Sequence, residues 1–386
     1  MKILLIGGTG VLSSSITAES IKRGYDVTMI NRGHRKLPDN IHLIKTDRNN
    51  FSYIKSQIEG CSFDAVIDFL CYTPKDAEES FSFYSNYAKQ YIFISSCAVY
   101  DKTYPGVKNE DSPKGLKVWS YSTNKWACEQ CITELAKESN CKLTIVRPCV
   151  TYDDTRIPYG ITPPYRFHWT LCARILADKP IIRWNHGTMR SNMMRVEDFA
   201  VGLVGLIGNS KAYGEAFNIC GDEMPSFNDV LDVLRDVLKK EIKLVDVSSD
   251  FYAKELPARA GEILGGRSID ALNSNEKIKS VVPEFKQTIS LKDGISRTVS
   301  AYKNQNYQKG IDWQFDAECD RIIKKWCKQN KVATKGMNLK FVDYLGNAML
   351  NNKIQYCVAL YERNVFFRVV RKLKSAVRYA LKHIKH

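Results

Sequence analysis

Ser96, Tyr121 and Lys125 are the residues of this chain whose types and spacing best suit proton chemistry. In Tyr121-Ser122-Thr123-Asn124-Lys125 the phenol and the ammonium stand at i and i+4, on one face of a helix. A phenol with an ordinary pKa near 10 is a poor base at neutral pH, and a neighbouring ammonium favours its ionised form. Lys125 is the expected source of that shift. Ser96, in Ser95-Ser96-Cys97-Ala98-Val99-Tyr100, can hydrogen-bond the same substrate oxygen and pass a proton along the pair. The competing reading is an ordinary exposed helix pair.

These residues need a scaffold, and the first 150 positions describe one. Apolar runs at 3–6, 27–30, 41–44, 65–69 and 91–94 read as strands, most of them separated by helix-length polar segments. Such alternation predicts a parallel sheet covered on both faces. Between the first strand and helix lies Gly7-Gly8-Thr9-Gly10-Val11-Leu12-Ser13. Glycines there let a diphosphate approach the amides that open a helix, where the helix dipole favours an anion. Ser13 replaces the third glycine of the usual fingerprint and puts a hydroxymethyl group where helix and strand pack closely.

The second strand ends in Asn31-Arg32-Gly33-His34-Arg35-Lys36, with no acid to hold the ribose hydroxyls of NAD. Arg32, with Arg35, can instead pair with a 2′-phosphate, which leans the cofactor toward NADP; a solvated basic loop is the equal alternative. Asp47, after the third strand, is placed either to meet an adenine amine or to cap the strand end.

In these motifs the chain resembles the extended short-chain dehydrogenase/reductase family, in its nucleotide-sugar epimerase/dehydratase branch. Further along, Val146-Arg147-Pro148, Val196-Glu197-Asp198-Phe199-Ala200, Gly214-Glu215-Ala216-Phe217-Asn218-Ile219 and Asp293-Gly294-Ile295 carry the resemblance over about 300 residues. It implies a Rossmann-type doubly wound α/β fold over 1–150, with later segments returning to it. A smaller α/β substrate lobe over 151–310 and a helical extension over 311–386 follow. It implies Tyr121 as acid/base, Lys125 on the nicotinamide ribose and Ser96 on the substrate oxygen. Gly7, Gly10, Val11, Leu12, Ser13, Asn31, Arg32, Asp47, Phe69, Lys125 and Pro148 would line NAD or NADP.

The implied reaction is hydride exchange at a sugar carbon, usually C4, through a keto intermediate, in an epimerase or a reductase. The branch's 4,6-dehydratases follow the serine or threonine with an Asp-Glu pair. Cys97 and Ala98 stand there instead, which argues against elimination of water. The resemblance also implies a nucleotide-sugar substrate, whose diphosphate Arg190 and Arg195 are candidates to hold, with salt bridging as their rival role. A homodimer is a family expectation. The Gly-Gly-Thr opening and Asn31-Arg32-Gly33 also look like an atypical branch that includes chloroplast stem-loop RNA-binding proteins, where the tyrosine-lysine pair is commonly absent. Non-catalytic binding of RNA or a protein is therefore the alternative function.

Composition narrows the field. The 386 residues carry a net charge of +15, but 331–386 hold 12 Lys and Arg against Asp343 and Glu362, leaving only +5 for the rest. A uniformly basic surface for nucleic acid is not what this describes. The opening lacks the apolar stretch of an export signal, so a cytoplasmic protein with reduced cysteines is expected. Cys128-Glu129-Gln130-Cys131 has no second pair at usable spacing, and no metal is expected. Tyr159, Tyr165, Trp169 and Trp184 suit either stacking on a ligand or a core. Within 364–386, Phe366, Val369, Val370, Leu373, Val377, Leu381 and Ile384 share one helical face amid basic residues. That pattern fits an anionic membrane surface or a protein partner equally.

Overall fold

The computed structural model describes residues 1–35, 37–164, 166–306 and 310–361. The basic 364–386 segment, Lys36 and Tyr165 lie outside them. The strands are β1 (Lys2–Ile6), β2 (Asp26–Asn31), β3 (His42–Lys45), β4 (Phe63–Asp68), β5 (Ala88–Ile94), β6 (Lys142–Pro148), β7 (Val150–Tyr152), β8 (Ile181–Trp184), β9 (Met193–Arg195), β10 (Glu215–Ile219) and β11 (Leu244–Val247). Among them run α1 (Val11–Lys22), α2 (Phe51–Ile58), α3 (Pro74–Tyr84), α4 (Ser120–Lys137), α5 (Trp169–Leu176) and α6 (Val196–Gly205). Then come α7 (Phe227–Leu238), α8 (Ser249–Glu255), α9 (Glu276–Val281), α10 (Leu291–Asn304), α11 (Trp313–Gln329) and α12 (Leu350–Leu360).

Seven strands form one parallel sheet in the order β10-β6-β5-β4-β1-β2-β3. Both faces of β1 are buried, Ile3 and Leu5 in one apolar cluster and Leu4 and Ile6 in another, which is why the strand reads as an unbroken apolar run. The chain leaves β1 toward β2 and crosses over to β4 on the other side. This reversal of strand order opens a crevice at the carboxyl ends of β1 and β4. The glycine turn and the loop after β4 therefore face the same place.

The chain divides into two compact units. Among the described residues, the first comprises those within 1–153, 189–226 and 261–294; the second comprises those within 154–188, 227–260 and from 295 to 361. Two late segments thus return to the unit that begins at Met1. In the second unit, β8 and β11 pair in parallel, and Tyr159, Trp184 and Phe227 pack as a buried aromatic cluster with centroids 5.0 to 5.9 Å apart. Trp169 packs edge-on to Tyr302. Tyr159, Trp169 and Trp184 are core residues there. Among the described residues no helix is long and apolar enough to cross a membrane.

Candidate active site

Tyr121 lies in the first turn of α4, and Ser96 lies two residues beyond the end of β5. The Ser96 hydroxyl faces the Tyr121 phenol and draws its pKa down. Ser96 is extended, and its Oγ also accepts the Ala98 N–H at 3.1 Å, which starts a single turn of tight helix at Cys97–Val99. Neighbouring Ser95 buries its Oγ without a hydrogen-bond partner. One turn along α4, Lys125 is buried and donates from Nζ to the carbonyls of Cys71 at 2.6 Å and Ile94 at 2.8 Å, above the Tyr72 and Phe93 rings. Serine, tyrosine and lysine, far apart in sequence, converge on the carboxyl end of β5.

The electrostatics correct one expectation. Burial pushes the Tyr121 phenol up to about 12, against the nearby Ser96 hydroxyl and the charge of Arg267, which pull it down. Burial also lowers Lys125, whose ammonium is committed to two main-chain carbonyls. Lys125 is thus not what tunes the phenol in the protein alone. An ammonium has three N–H groups, so two carbonyls leave one for a ribose hydroxyl.

The loop that holds Lys125 is itself braced. Asp68, at the end of β4, accepts from the Leu70 N–H at 2.7 Å, the Cys71 thiol at 3.1 Å, the Tyr91 hydroxyl at 2.9 Å and Ser80. Arg48 donates to the Leu70 carbonyl at 2.8 Å and pairs with Asp76, which closes the capping box of α3 with Thr73. Phe69 packs against the core beside these groups.

The glycine turn has the shape a diphosphate requires. Gly7 and Gly8 have φ of 118° and 71°, and a Cβ on Gly8 would fall 2.3 Å from the Met29 side chain. Gly10 precedes α1, whose first turn, including Val11 and Leu12, carries no acid. Ser13 is buried, and its Oγ accepts the Gly10 N–H at 2.7 Å, so the residue in place of the third glycine closes the turn. Arg35 reaches across to donate to the Thr9 carbonyl. An open turn, a helix amino end and an arginine fit an anionic dinucleotide. Asn31 accepts the Gly33 N–H at 2.7 Å, Arg32 is exposed, Asp47 caps the Asn49 N–H at 3.0 Å, and Pro148 is buried at the end of β6.

The two substrate arginines differ. Arg195 is buried, pairs with Glu197 through Nε at 3.0 Å and Nη2 at 2.6 Å, and lies over the Tyr152 ring. The salt-bridge role is the one it fills. Arg190 is exposed; its backbone N–H meets Asp270 at 2.8 Å and its Nε the Met224 carbonyl at 3.1 Å. Cys97 is buried with its thiol pushed well above the ordinary range by desolvation, and donates to the Arg147 carbonyl at 3.2 Å. All 12 cysteines are free, and among the described residues no three His, Cys, Asp or Glu side chains group as a metal site.

Three features escaped the sequence reading. Arg147 is locked by two hydrogen bonds to Glu129, 2.9 and 2.7 Å, and donates to the Tyr100 hydroxyl at 2.7 Å; Tyr100 in turn donates to Asn218. This buried network fixes the ends of β6 and β10 behind Ser96. Trp119, the residue before α4, packs its ring 5.0 Å from that of Tyr121. Beside it, Lys102 is buried with its Nζ 2.8 Å from the Gly266 carbonyl. Trp119 and Lys102 come from loops without periodicity, and Arg147, Glu129 and Asn218, though on β6, α4 and β10, pair across separations that no local pattern marks.

The model of the NAD dependent epimerase/dehydratase family matches residues 3–220. A curated relative, chloroplast stem-loop binding protein of 41 kDa b from Arabidopsis thaliana, is 29% identical over 245 residues, which span 59% of this chain and 60% of the plant protein. Among solved structures, UDP-glucuronic acid 4-epimerase from Bacillus cereus, in complex with UDP-glucuronic acid and NAD, matches with a TM-score of 0.62 and 19% identity. The match covers 79% of this chain and all of that one. UDP-glucose 4-epimerase from Thermotoga maritima, with UDP-glucose, matches with a TM-score of 0.64 and 17% identity over 79% and 100%. At these identities the structural likeness is one of fold.

Proposed function

Because this chain belongs to the NAD dependent epimerase/dehydratase family, we propose that it binds NAD and catalyses hydride exchange at a carbon of a nucleotide-linked sugar, C4 by the family pattern, as an epimerase or reductase. The observation that supports this is the convergence of Ser96 and Tyr121, whose phenol feels the Ser96 hydroxyl, with Lys125 anchored one turn further on. Bound NAD would supply a hydride acceptor that can return what it takes. Tyr121 takes the proton of the sugar hydroxyl as its carbon is oxidised, and Ser96 holds the oxygen and relays the proton. Lys125, with two of its N–H groups on carbonyls, would hold the nicotinamide ribose with the third.

Gly7, Gly10, Val11, Leu12 and Ser13 would cradle the diphosphate, with Asn31, Arg32 and Asp47 toward the adenosine and Phe69 and Pro148 toward the nicotinamide. The family description names NAD, and the lean toward NADP drawn from Arg32 has no support beyond that exposed arginine. Arg190 is retained as a candidate for the sugar-nucleotide phosphates. The second reading is non-catalytic binding of RNA or a protein partner, and its motive is the plant relative, whose name makes it a stem-loop binding protein. Contact of 364–386 with a membrane surface or a protein, and pairing into a homodimer, rest on sequence pattern and family alone. The test is mass spectrometry of what leaves the purified protein on gentle denaturation. Released NAD supports an epimerase that keeps its cofactor between turnovers. An empty protein that binds neither NAD nor NADPH, but does bind RNA, sinks the enzymatic reading.

A further inference from the structure

The two carbonyls that hold Lys125 are fixed by different means. The Ile94 carbonyl closes β5, whose backbone is set by its register with β6. The Cys71 carbonyl, the nearer of the two at 2.6 Å, stands in the short connection between β4 and α3. A loop carbonyl has no strand ladder to hold it, so its position depends on what grips the neighbouring peptide groups.

Side chains grip most of that connection. Asp68 accepts the Leu70 N–H at 2.7 Å and the Cys71 thiol at 3.1 Å. Asp76 accepts the N–H groups of Tyr72 at 3.2 Å and Thr73 at 3.0 Å. Arg48 joins the two halves: it donates from Nη1 to the Leu70 carbonyl at 2.8 Å and pairs through Nη2 with Asp76. Asp68 and Asp76 belong to the elements that the loop connects, whereas Arg48 arrives from beyond β3, 22 residues before Leu70. A planar guanidinium fork holds a carbonyl and a carboxylate at once in a fixed geometry, which a flexible ammonium does less well. Asp68 is fully buried and also takes Tyr91 and Ser80, so it is part of the core. The Arg48 side chain is 16% exposed, and it is the part of the brace that can be altered without opening the core.

We propose that Arg48 is a positioning residue for the cofactor: by fixing the Leu70–Cys71 peptide it holds the Lys125 ammonium where the nicotinamide ribose would meet its third N–H. This rests on the role proposed above for Lys125. Arg48 follows Asp47, the residue expected at the adenosine, so one dipeptide would serve both ends of the dinucleotide, Asp47 by contact and Arg48 through Lys125. An ammonium released from a fixed Cys71 carbonyl must be ordered again when NAD binds, and affinity falls by the cost of that ordering. ADP ends before the nicotinamide ribose, does not reach Lys125 and is indifferent to the change.

Calorimetric titration of the full-length protein, freed of bound dinucleotide, with NAD and with ADP tests this for the wild type, Arg48→Lys, Arg48→Met, Lys125→Met and the double variant R48M/K125M. R48M is expected to weaken NAD about 10-fold relative to ADP, and R48K, which keeps the charge but not the fork, by less. K125M should lose at least as much, and R48M/K125M no more than K125M alone, because Arg48 acts through Lys125. Losses that add in the double variant, or an R48M that weakens NAD and ADP alike, overturn the proposal and leave Arg48 supporting the fold or the adenosine end. If R48M does not fold, R48K carries the same comparison. A K125M that loses NAD relative to ADP beside indifferent Arg48 variants sinks this proposal alone. A K125M that leaves the ratio of the two affinities unchanged sinks the role of Lys125 on the ribose as well.

Discussion

Two buried lysines of this protein stand in opposite electrostatic circumstances. In the second unit Lys179 is fully buried and pairs with Asp316 at 3.0 Å and Asp320 at 2.6 Å, carboxylates that also hold Arg174 at 2.5 and 2.9 Å. Tyr344 donates to Asp316 and Tyr356 to Asp320, so each acid is saturated and the segment through α12 is tied to α11. Two cations meet two anions, so the cluster is neutral within the protein. In the first unit Lys102 has a carbonyl, an indole face and like charges around it. A neutralised buried cluster holds structure together, whereas a buried charge lacking its counterion costs stability.

The comparison can be broken at either lysine. Lys179→Met leaves two buried carboxylates facing Arg174 alone and should destabilise the protein by about 3–5 kcal/mol in urea unfolding. A loss under about 1 kcal/mol would mean the cluster is not holding the second unit together. Lys102→Met should act with the opposite sign, stabilising the ligand-free protein by roughly 1–3 kcal/mol near neutral pH. The folded-state pKa of about 7 lies below the ordinary lysine value of 10.5, so the folded protein binds fewer protons than the unfolded chain between them. The penalty is complete below pH 7 and fades as pH rises toward 10.5. The gap in Tm between K102M and wild type should therefore close over that window; a gap that widened instead would refute the assignment. The smallest effect is expected at Asp312, which caps α11 by accepting the Phe315 N–H at 3.0 Å. Asp312→Ala should cost about 1 kcal/mol while Asp312→Asn costs less, since α11 carries both acids of the cluster.

What could be read from the sequence follows from what is local. The run Ile3–Ile6, the glycines after it and the Tyr121–Lys125 spacing each carry their meaning within a few residues, and the doubly wound sheet and the converged Ser96, Tyr121 and Lys125 agree with them. The spacing does not show what holds Lys125, because its carbonyl partners Cys71 and Ile94 lie 54 and 31 residues away. For Arg195 the sequence leaves a phosphate and a salt bridge as rival partners, and Glu197, two residues on, engages it bidentately. Lys102 and Gly266 are 164 residues apart, and Arg174 and Asp316 are 142 apart. No period or motif announces such pairs.

The central claim is that Tyr121 moves the proton while hydride leaves the sugar. The most direct measurement is a single turnover of the NAD-loaded protein with a nucleotide sugar, followed by absorbance of the reduced nicotinamide, for wild type and Tyr121→Phe. The account predicts that Y121F still retains NAD but forms the reduced nicotinamide about 10²- to 10⁴-fold more slowly. Equal rates in the two proteins would contradict it.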